Sequence, residues 1–348
     1  MSGGVDSSVA AAILIEQGYD VTGIIMQVWT EHDKHSLSEE EHPFDYDARR
    51  VADKLGISLY VIDVRDVFKD KVVAYFINEY ISGRTPNPCV QCNKNIKFGI
   101  LLDKANELGM DYMATGHYAL VEYDKNINRF LLKKAAYAEK DQSYVLYNLT
   151  QNQLYKVLFP IGNYTKQGIR EKAKYFGLPV ADKHDSQEIC FIRDNNYIRF
   201  LEDNFPTISK PGLFIDKNGN VLGTHKGIIH YTIGQRRGLD IAFGKKMFVS
   251  GINVEENTVI IGEENEVFSD KLFASETNFI PFDNLDGEFR VKAKIRYSAE
   301  ESAATIKPTG NRTVMVYFDT SQRAITPGQA VVFYDGDIVI GGGTIQIP

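Results

Sequence analysis

The chain has 348 residues, which at roughly 150 per domain predicts two or three domains. Hydrophobic residues make up 43% and charged residues 24%, with 28 Gly and 11 Pro, values that exclude a disordered, fibrous or collagen-like chain. The net charge of −7 argues against nonspecific coating of nucleic acid, which needs a basic surface. No membrane span is expected, because the longest strictly apolar run, Val9 to Ile15, is only 7 residues, against the ~20 a bilayer requires. Met1-Ser2-Gly3-Gly4 has neither a basic nor an Arg-rich leader character, so a cytoplasmic address is expected. The 3 cysteines, Cys89, Cys92 and Cys190, are too few and odd in number for a secreted disulfide framework and imply a reducing compartment.

In chain order, Asp6 to Gln17 reads as a helix closed by Gly18, and Val21 to Val28 as a buried strand. Asp45 to Leu55 is a second helix stopped by Gly56, followed by a strand at Leu59 to Ile62. Helices are predicted over Val67 to Tyr80 and Asn93 to Leu108, then a short strand from Tyr112 to Thr115, with helices continuing to about Phe205. Strands separated by helices imply βαβ units and a parallel sheet with ligands at the strand ends. The run Glu39-Glu40-Glu41 reads as a solvated face.

After Pro206 the texture changes. Turn signals such as Lys217-Asn218-Gly219-Asn220 and Thr309-Gly310-Asn311 separate alternating strands such as Phe289 to Ile295 and Thr313 to Phe318. The expected fold class is therefore α/β over residues 1–205, followed by a small central β-rich domain over 206–268 and a C-terminal β-barrel over 269–348. Between 206 and 250, Lys210, Lys217, Lys226, Arg236, Arg237, Lys245 and Lys246 oppose Asp216 and Asp240, a local balance of 7 − 2 = +5. Arg290, Lys292, Lys294 and Arg296 add basic charge to the barrel.

Ser2-Gly3-Gly4-Val5-Asp6-Ser7-Ser8 stands immediately before the first helix. Two glycines let backbone N–H groups turn inward, the hydroxyls add donors and the helix terminus adds positive dipole, which together make a phosphate site. A Walker A loop would end in Gly-Lys-Ser or Gly-Lys-Thr, and that lysine is missing. The pattern instead resembles the PP-loop of ATP pyrophosphatases, in which GMP, NAD, argininosuccinate and tRNA-lysidine synthases look similar. Members of that superfamily carry a short apolar strand and a glycine before the loop, so this chain is expected to be short of one strand.

Thr85-Pro86-Asn87-Pro88-Cys89-Val90-Gln91-Cys92-Asn93 sets a C-x-x-C just ahead of the helix predicted from Asn93, and a thiol at a helix N-terminus has a lowered pKa. Seven segments occur in order: TPNPCVQCN, ATGHYA (114–119), KDQSYVLY (140–147), DSQEICFI (185–192), TIGQRRGL (232–239), KIRY (294–297) and TPGQAVVFYDGD (326–337). With them the chain closely resembles the tRNA-specific 2-thiouridylases over essentially its whole length. The resemblance implies ATP-dependent replacement of the C2 oxygen of the wobble uridine by sulfur, through adenylation of that oxygen and transfer from a cysteine persulfide.

By that resemblance, Cys190 carries the persulfide, and Cys92 attacks it to leave a transient Cys92–Cys190 disulfide. ATP falls to Met1, Ser2, Gly3, Gly4, Val5, Asp6, Ser7, Ser8, Met26 and Gly116, with Asp6 a candidate contact to Mg²⁺ on the phosphates. The flipped target base falls to Asn87, Pro88 and Cys89, and tRNA contacts to His117, Lys140, Asp141, Gln142, Arg296, Tyr297 and Gln329. Cys89 stands where some members carry an acidic residue, so it is either a small hydrophobe or a redox modulator. The implied partners are the anticodon region of tRNA and a persulfide donor, either a cysteine desulfurase or a relay protein. Two other readings stay open. One is a zinc-stabilised RNA-binding protein with Cys89, Cys92, Cys190 and His117 or His184 as ligands; the other is a PP-loop ligase acting on a small metabolite.

Overall fold

Residues 1–29, 43–184, 189–192, 194–241 and 244–347 are described in the computed structural model. Glu39-Glu40-Glu41 and Asp185-Ser186-Gln187-Glu188 lie outside the described residues.

Helix α1 (Val5–Glu16) is apolar around much of its girth and buries Val9, Ala10, Ala12 and Ile13, as a helix inside a core does. It leads to β1 (Gly23–Gln27), α2 (Tyr46–Leu55) and β2 (Leu59–Asp63). β1 and β2 pair in parallel, Gly23 opposite Leu59 and Gln27 opposite Asp63. α2 ends at Gly56 with φ +68°, a left-handed C-cap that a residue without Cβ takes without strain. The two helices predicted next are both interrupted. The first is α3 (Arg65–Phe68), a π-helical stretch Lys69–Val73, and α4 (Ala74–Ile81). The second is α5 (Pro88–Cys92), π-helical Asn93–Leu101, and α6 (Leu102–Glu107).

β3 (Met113–Ala114) follows as predicted, but the helices expected up to Phe205 are preceded by an antiparallel hairpin, β4 (Ala119–Asp124) and β5 (Arg129–Lys134). Its turn is chemically specified: Asp124 Oδ1 accepts from Asn126 N at 2.8 Å, and Asn128 takes φ +53°. Tyr123 and Phe130 pack across it with ring centroids 4.9 Å apart. A capping box of Thr150 and Gln153 then opens α7 (Gln151–Lys156), which runs into β6 (Val157–Leu158), the parallel partner of β3. Over residues 1–205 the parallel pairing among the described residues is thus two separate two-stranded sheets. α8 (Lys166–Tyr175) and α9 (Tyr197–Asn204) complete the helices.

The rest is β. Strands β7 (Gly212–Ile215), β8 (Val221–His225), β9 (Phe248–Asn253) and β10 (Thr258–Gly262) form one sheet in the order β8-β7-β10-β9. β11 (Phe268–Phe279), β12 (Phe289–Lys294), β13 (Ser302–Gly310), β14 (Thr313–Arg323), β15 (Ala330–Asp335) and β16 (Ile338–Gln346) run in the order β11-β14-β13-β12-β15-β16. A β11–β16 pairing closes them into a six-stranded barrel, which leaves no free edge within that ring. Val291, Ala293, Ala304, Ile306, Val314 and Val316 are buried on alternating positions, as the strand period requires. The α/β fold class with a β-rich middle and a terminal barrel is the one the sequence predicts.

Contacts group the chain into two units, residues 1–71, 89–193 and 336–339 in one, and 72–88, 194–335 and 340–348 in the other. In the first, Ile338 pairs with Lys133 of β5. In the second, Phe200 of α9 meets Phe76 edge-on and Tyr197 stacks on Tyr80 at 4.8 Å, so α9 groups with α4 rather than with the helices before it. No described helix is long and apolar enough to cross a membrane.

Candidate active site

The glycine loop is shaped by its neighbours as much as by its own sequence. Gly3 has φ +70°, and a Cβ there would come within 2.9 Å of Asp47 Cβ. A Cβ on Gly116 would meet Ser7 N at 2.6 Å, so the segment after β3 lies directly against the first turn of α1. Gly4 caps α1 with no side-chain hydrogen bond, while the Ser7 and Ser8 hydroxyls donate to the Gly4 carbonyl at 3.2 and 2.8 Å. An uncapped helix start behind a glycine turn suits a phosphate chain. Met26 lies half-buried on β1 in register with Ile62.

Lysines that sequence reasoning missed flank this loop. Lys166, at the first position of α8, donates to Asp6 Oδ1 at 2.7 Å, and Tyr118 Oη donates to the same oxygen at 2.8 Å. Lys183 Nζ lies 2.5 Å from Asp47 Oδ2 and 3.3 Å from the Gly3 carbonyl. No local signal announces either residue, since Lys166 stands 160 positions from Asp6. Together they set cations beside a loop that lacks the Walker lysine. Lys166 and Tyr118 both meet Oδ1 of Asp6, the carboxylate expected to contact Mg²⁺.

Cys89 and Cys92 are three residues apart in α5 and therefore share a helix face. The helix begins at Pro88, whose fixed φ suits a first turn, and not at Asn93 as predicted. Cys92 thus lies within the helical run, and the lowered pKa expected of a helix N-terminus is not found. Partial loss of hydration raises the Cys89, Cys92 and Cys190 thiols, with Cys92 and Cys89 adding to the effect on Cys190. Cys190 thus lies within electrostatic reach of the C-x-x-C pair. Lys97 opposes the rise at all three sulfurs. Cys89 and Cys190 each reach solvent, and Cys92 is half-exposed. Among the described residues no three His, Cys, Asp or Glu side chains form a metal-binding group, so the zinc reading gains no site.

Three family models cover the chain in sequence: a tRNA methyl transferase HUP domain over residues 1–194, a tRNA methyl transferase PRC-barrel domain over 198–263, and an aminomethyltransferase β-barrel domain over 269–345. The tRNA-specific 2-thiouridylase MnmA of Acetivibrio thermocellus is 57% identical, the match spanning 99% of this chain and 98% of that protein. The protein of the same name from Clostridioides difficile is 53% identical over 99% of this chain and 96% of its own length. The chain belongs to the tRNA-specific 2-thiouridylase family. Its members are sulfurtransferases by name, and the HUP-domain match agrees with ATP use. Among solved structures, NMN synthetase from Francisella tularensis covers 53% of this chain and 64% of its own at 18% identity and a TM-score of 0.31, too slight a likeness to argue from.

The remaining 2-thiouridylase positions fall into different environments. In the first unit, His117 is buried, with Nδ1 2.8 Å from Thr115 Oγ1 and Nε2 3.4 Å from Lys97 Nζ. Asp141 accepts from Ala135 N at 2.9 Å and Ser143 Oγ at 2.7 Å, and Gln142 Oε1 accepts from Tyr118 N at 3.0 Å. These two therefore hold backbone in place, beside half-exposed Lys140. In the second unit, Gln329 Nε2 donates to the carbonyls of Thr85 at 2.9 Å and Pro86 at 3.2 Å, just before half-exposed Asn87 and buried Pro88. Arg296 donates to the Arg323 carbonyl at 3.4 Å, and Tyr297 is exposed with the Lys294 ammonium 5.6 Å from its ring. A cavity of about 450 Å³ in the same unit is lined by Arg236, Leu239, Lys245, Lys246 and Met247. The basic balance of the central segment is partly neutralised, since Lys217, Lys226 and Lys245 pair with Glu266, Asp240 and Glu263.

Proposed function

We propose that this chain makes 2-thiouridine at the wobble position of tRNA, consuming ATP. The observation that carries the reading is membership of the 2-thiouridylase family over almost the whole chain, and Cys89, Cys92 and Cys190 lie in the unit that also holds the glycine loop. ATP, as a substrate, lies with its phosphates on Ser2 to Ser8, and Lys166 and Lys183 supply the charge that the loop itself lacks. The uridine C2 oxygen attacks the α-phosphorus and displaces pyrophosphate, so that AMP becomes the leaving group. The terminal sulfur of a Cys190 persulfide then bonds to C2 as the C2–oxygen bond breaks. The Cys92 thiolate attacks Cys190 Sγ, the sulfur–sulfur bond of the persulfide breaks, and a Cys92–Cys190 disulfide remains. An external dithiol reduces it by two electrons, and a persulfide donor protein reloads Cys190.

Asn87, Pro88 and Cys89 receive the flipped base. Tyr297 and Arg296 offer stacking planes to unpaired loop bases, and Lys140 a cation to the backbone. A cytoplasmic setting follows from the substrates. The test is the purified chain with ATP, a sulfide source and unmodified tRNA, read for 2-thiouridine by mass spectrometry. Cys92→Ser and Cys190→Ser are each expected to abolish the product while tRNA binding is retained. Wild-type incorporation in either variant overturns the mechanism, and ATP–pyrophosphate exchange independent of tRNA would favour the small-metabolite ligase instead.

A further inference from the structure

Lys97 lies five residues beyond Cys92 in one helical run. In an α-helix five residues advance about 500°, which sets two side chains about 140° apart around the axis. Asn93–Leu101 is π-helical instead, and i→i+5 bonding brings positions five apart round to one side. Cys89 and Cys92 already share a side in α5, so the π turn aims Lys97 along the face that carries both thiols. Its ammonium is also braced. An ammonium can only donate, so His117 Nε2, 3.4 Å away, is the acceptor, and Nδ1 keeps the proton that it donates to Thr115 Oγ1 at 2.8 Å. That ring is packed between Phe98 and Phe159, and burial together with Lys97 holds it uncharged.

We propose that Lys97 is a positioning residue for sulfur transfer, an ammonium aimed by the π turn and braced by neutral His117 that favours the thiolate form of Cys92. Partial burial works against ionisation at half-exposed Cys92, and a fixed cation is the standard physical remedy. Lys97 bears on all three thiols, Cys89 also on Cys92, and Cys89 and Cys92 also on Cys190. Lys97 in turn bears on His117 and the Met1 amino group. The proposal rests on the reading of Cys92 and Cys190 as the working thiols only for its consequence. Its test reads ionisation and not sulfur transfer, so the two can fail separately.

The test is the pH profile of iodoacetamide alkylation of Cys92, measured in full-length protein carrying Cys89→Ser and Cys190→Ser, with lysine, arginine, glutamine or methionine at position 97. Lys97→Met is expected to shift the alkylation inflection to higher pH and to slow reaction near pH 8 about tenfold, which corresponds to one pKa unit. Lys97→Arg is expected to keep the inflection close to that of lysine. If Lys97→Met does not fold, Lys97→Gln against Lys97→Arg makes the same comparison. An inflection that is the same with glutamine or methionine as with lysine overturns the proposal. So does an arginine variant as displaced as the neutral ones.

Discussion

Two stretches of this chain share one backbone irregularity and differ in what surrounds it. Lys69–Val73 and Asn93–Leu101 are both π-helical, each inserted between α-helical turns. In the first, Lys69, Asp70 and Lys71 are exposed, and Lys71 pairs with its neighbour Asp70 at 2.9 Å, an arrangement worth little in water. In the second, Asn93 and Phe98 are buried, Lys97 is half-buried, and three thiols and an uncharged imidazole lie within its electrical reach. The backbone device is the same, so the device alone does not make a functional site. It matters where the displaced turn re-aims a charge into poorly hydrated surroundings, because only there does a few ångströms' change in position alter a protonation equilibrium appreciably.

Phe98→Ala is expected to have the largest effect, costing about 3–5 kcal/mol of stability as a fully buried aromatic lost from the core and also raising the alkylation inflection of Cys92 by loosening the brace on Lys97. Phe68→Ala, just before the other π turn and equally buried, should cost as much stability by denaturant titration yet leave that inflection in place. Equal shifts in both would break the comparison. Next comes Lys97→Met, expected to slow 2-thiouridine formation about tenfold, or ~1.4 kcal/mol, with little change in the urea midpoint.

A smaller, pH-dependent effect belongs to His117. Its pKa in the fold lies well below the ordinary 6.5, so the stability tied to its neutral form is present above about 6.5 and is lost as the pH falls. Urea midpoints of wild type and His117→Gln should therefore differ in slope on the acid side, and parallel curves would remove the imidazole from the account. Smallest is Lys71→Met, expected to stay within about 0.5 kcal/mol and to leave thiolation unchanged. A substantial loss of activity there would mean that the first π turn carries function after all.

Much of the fold is legible in local chemistry. α1, α2 with its Gly56 stop, β1 and β2 follow from periodicity and capping, and the barrel strands from alternation. The hairpin β4–β5 was missed because its signal is a four-residue connection with an Asx turn inside a segment otherwise read as helical. The π turns were missed because nothing in Asn93-Lys94-Asn95-Ile96-Lys97 distinguishes i→i+5 from i→i+4 bonding, a choice made by packing. The thiols and the glycine loop are visible as motifs. Lys97, Lys166 and Lys183 are not, since a lysine is usually a solvated surface residue and these acquire meaning only from partners brought near by folding. The expectation of a lowered thiol pKa failed for a related reason: it rested on where a helix starts, and the helix starts one turn earlier.

The Gln329 side chain spans 244 and 243 residues of sequence to reach the carbonyls of Thr85 and Pro86. On a ribosome adding about 5–20 residues per second, that interval corresponds to roughly 12–50 s during which residues 85 and 86 have been made and their partner has not. The glycine loop and its first lysine are complete well before that moment. The order of synthesis thus delays the clasp on the segment that leads to Asn87 until the barrel strands have been made.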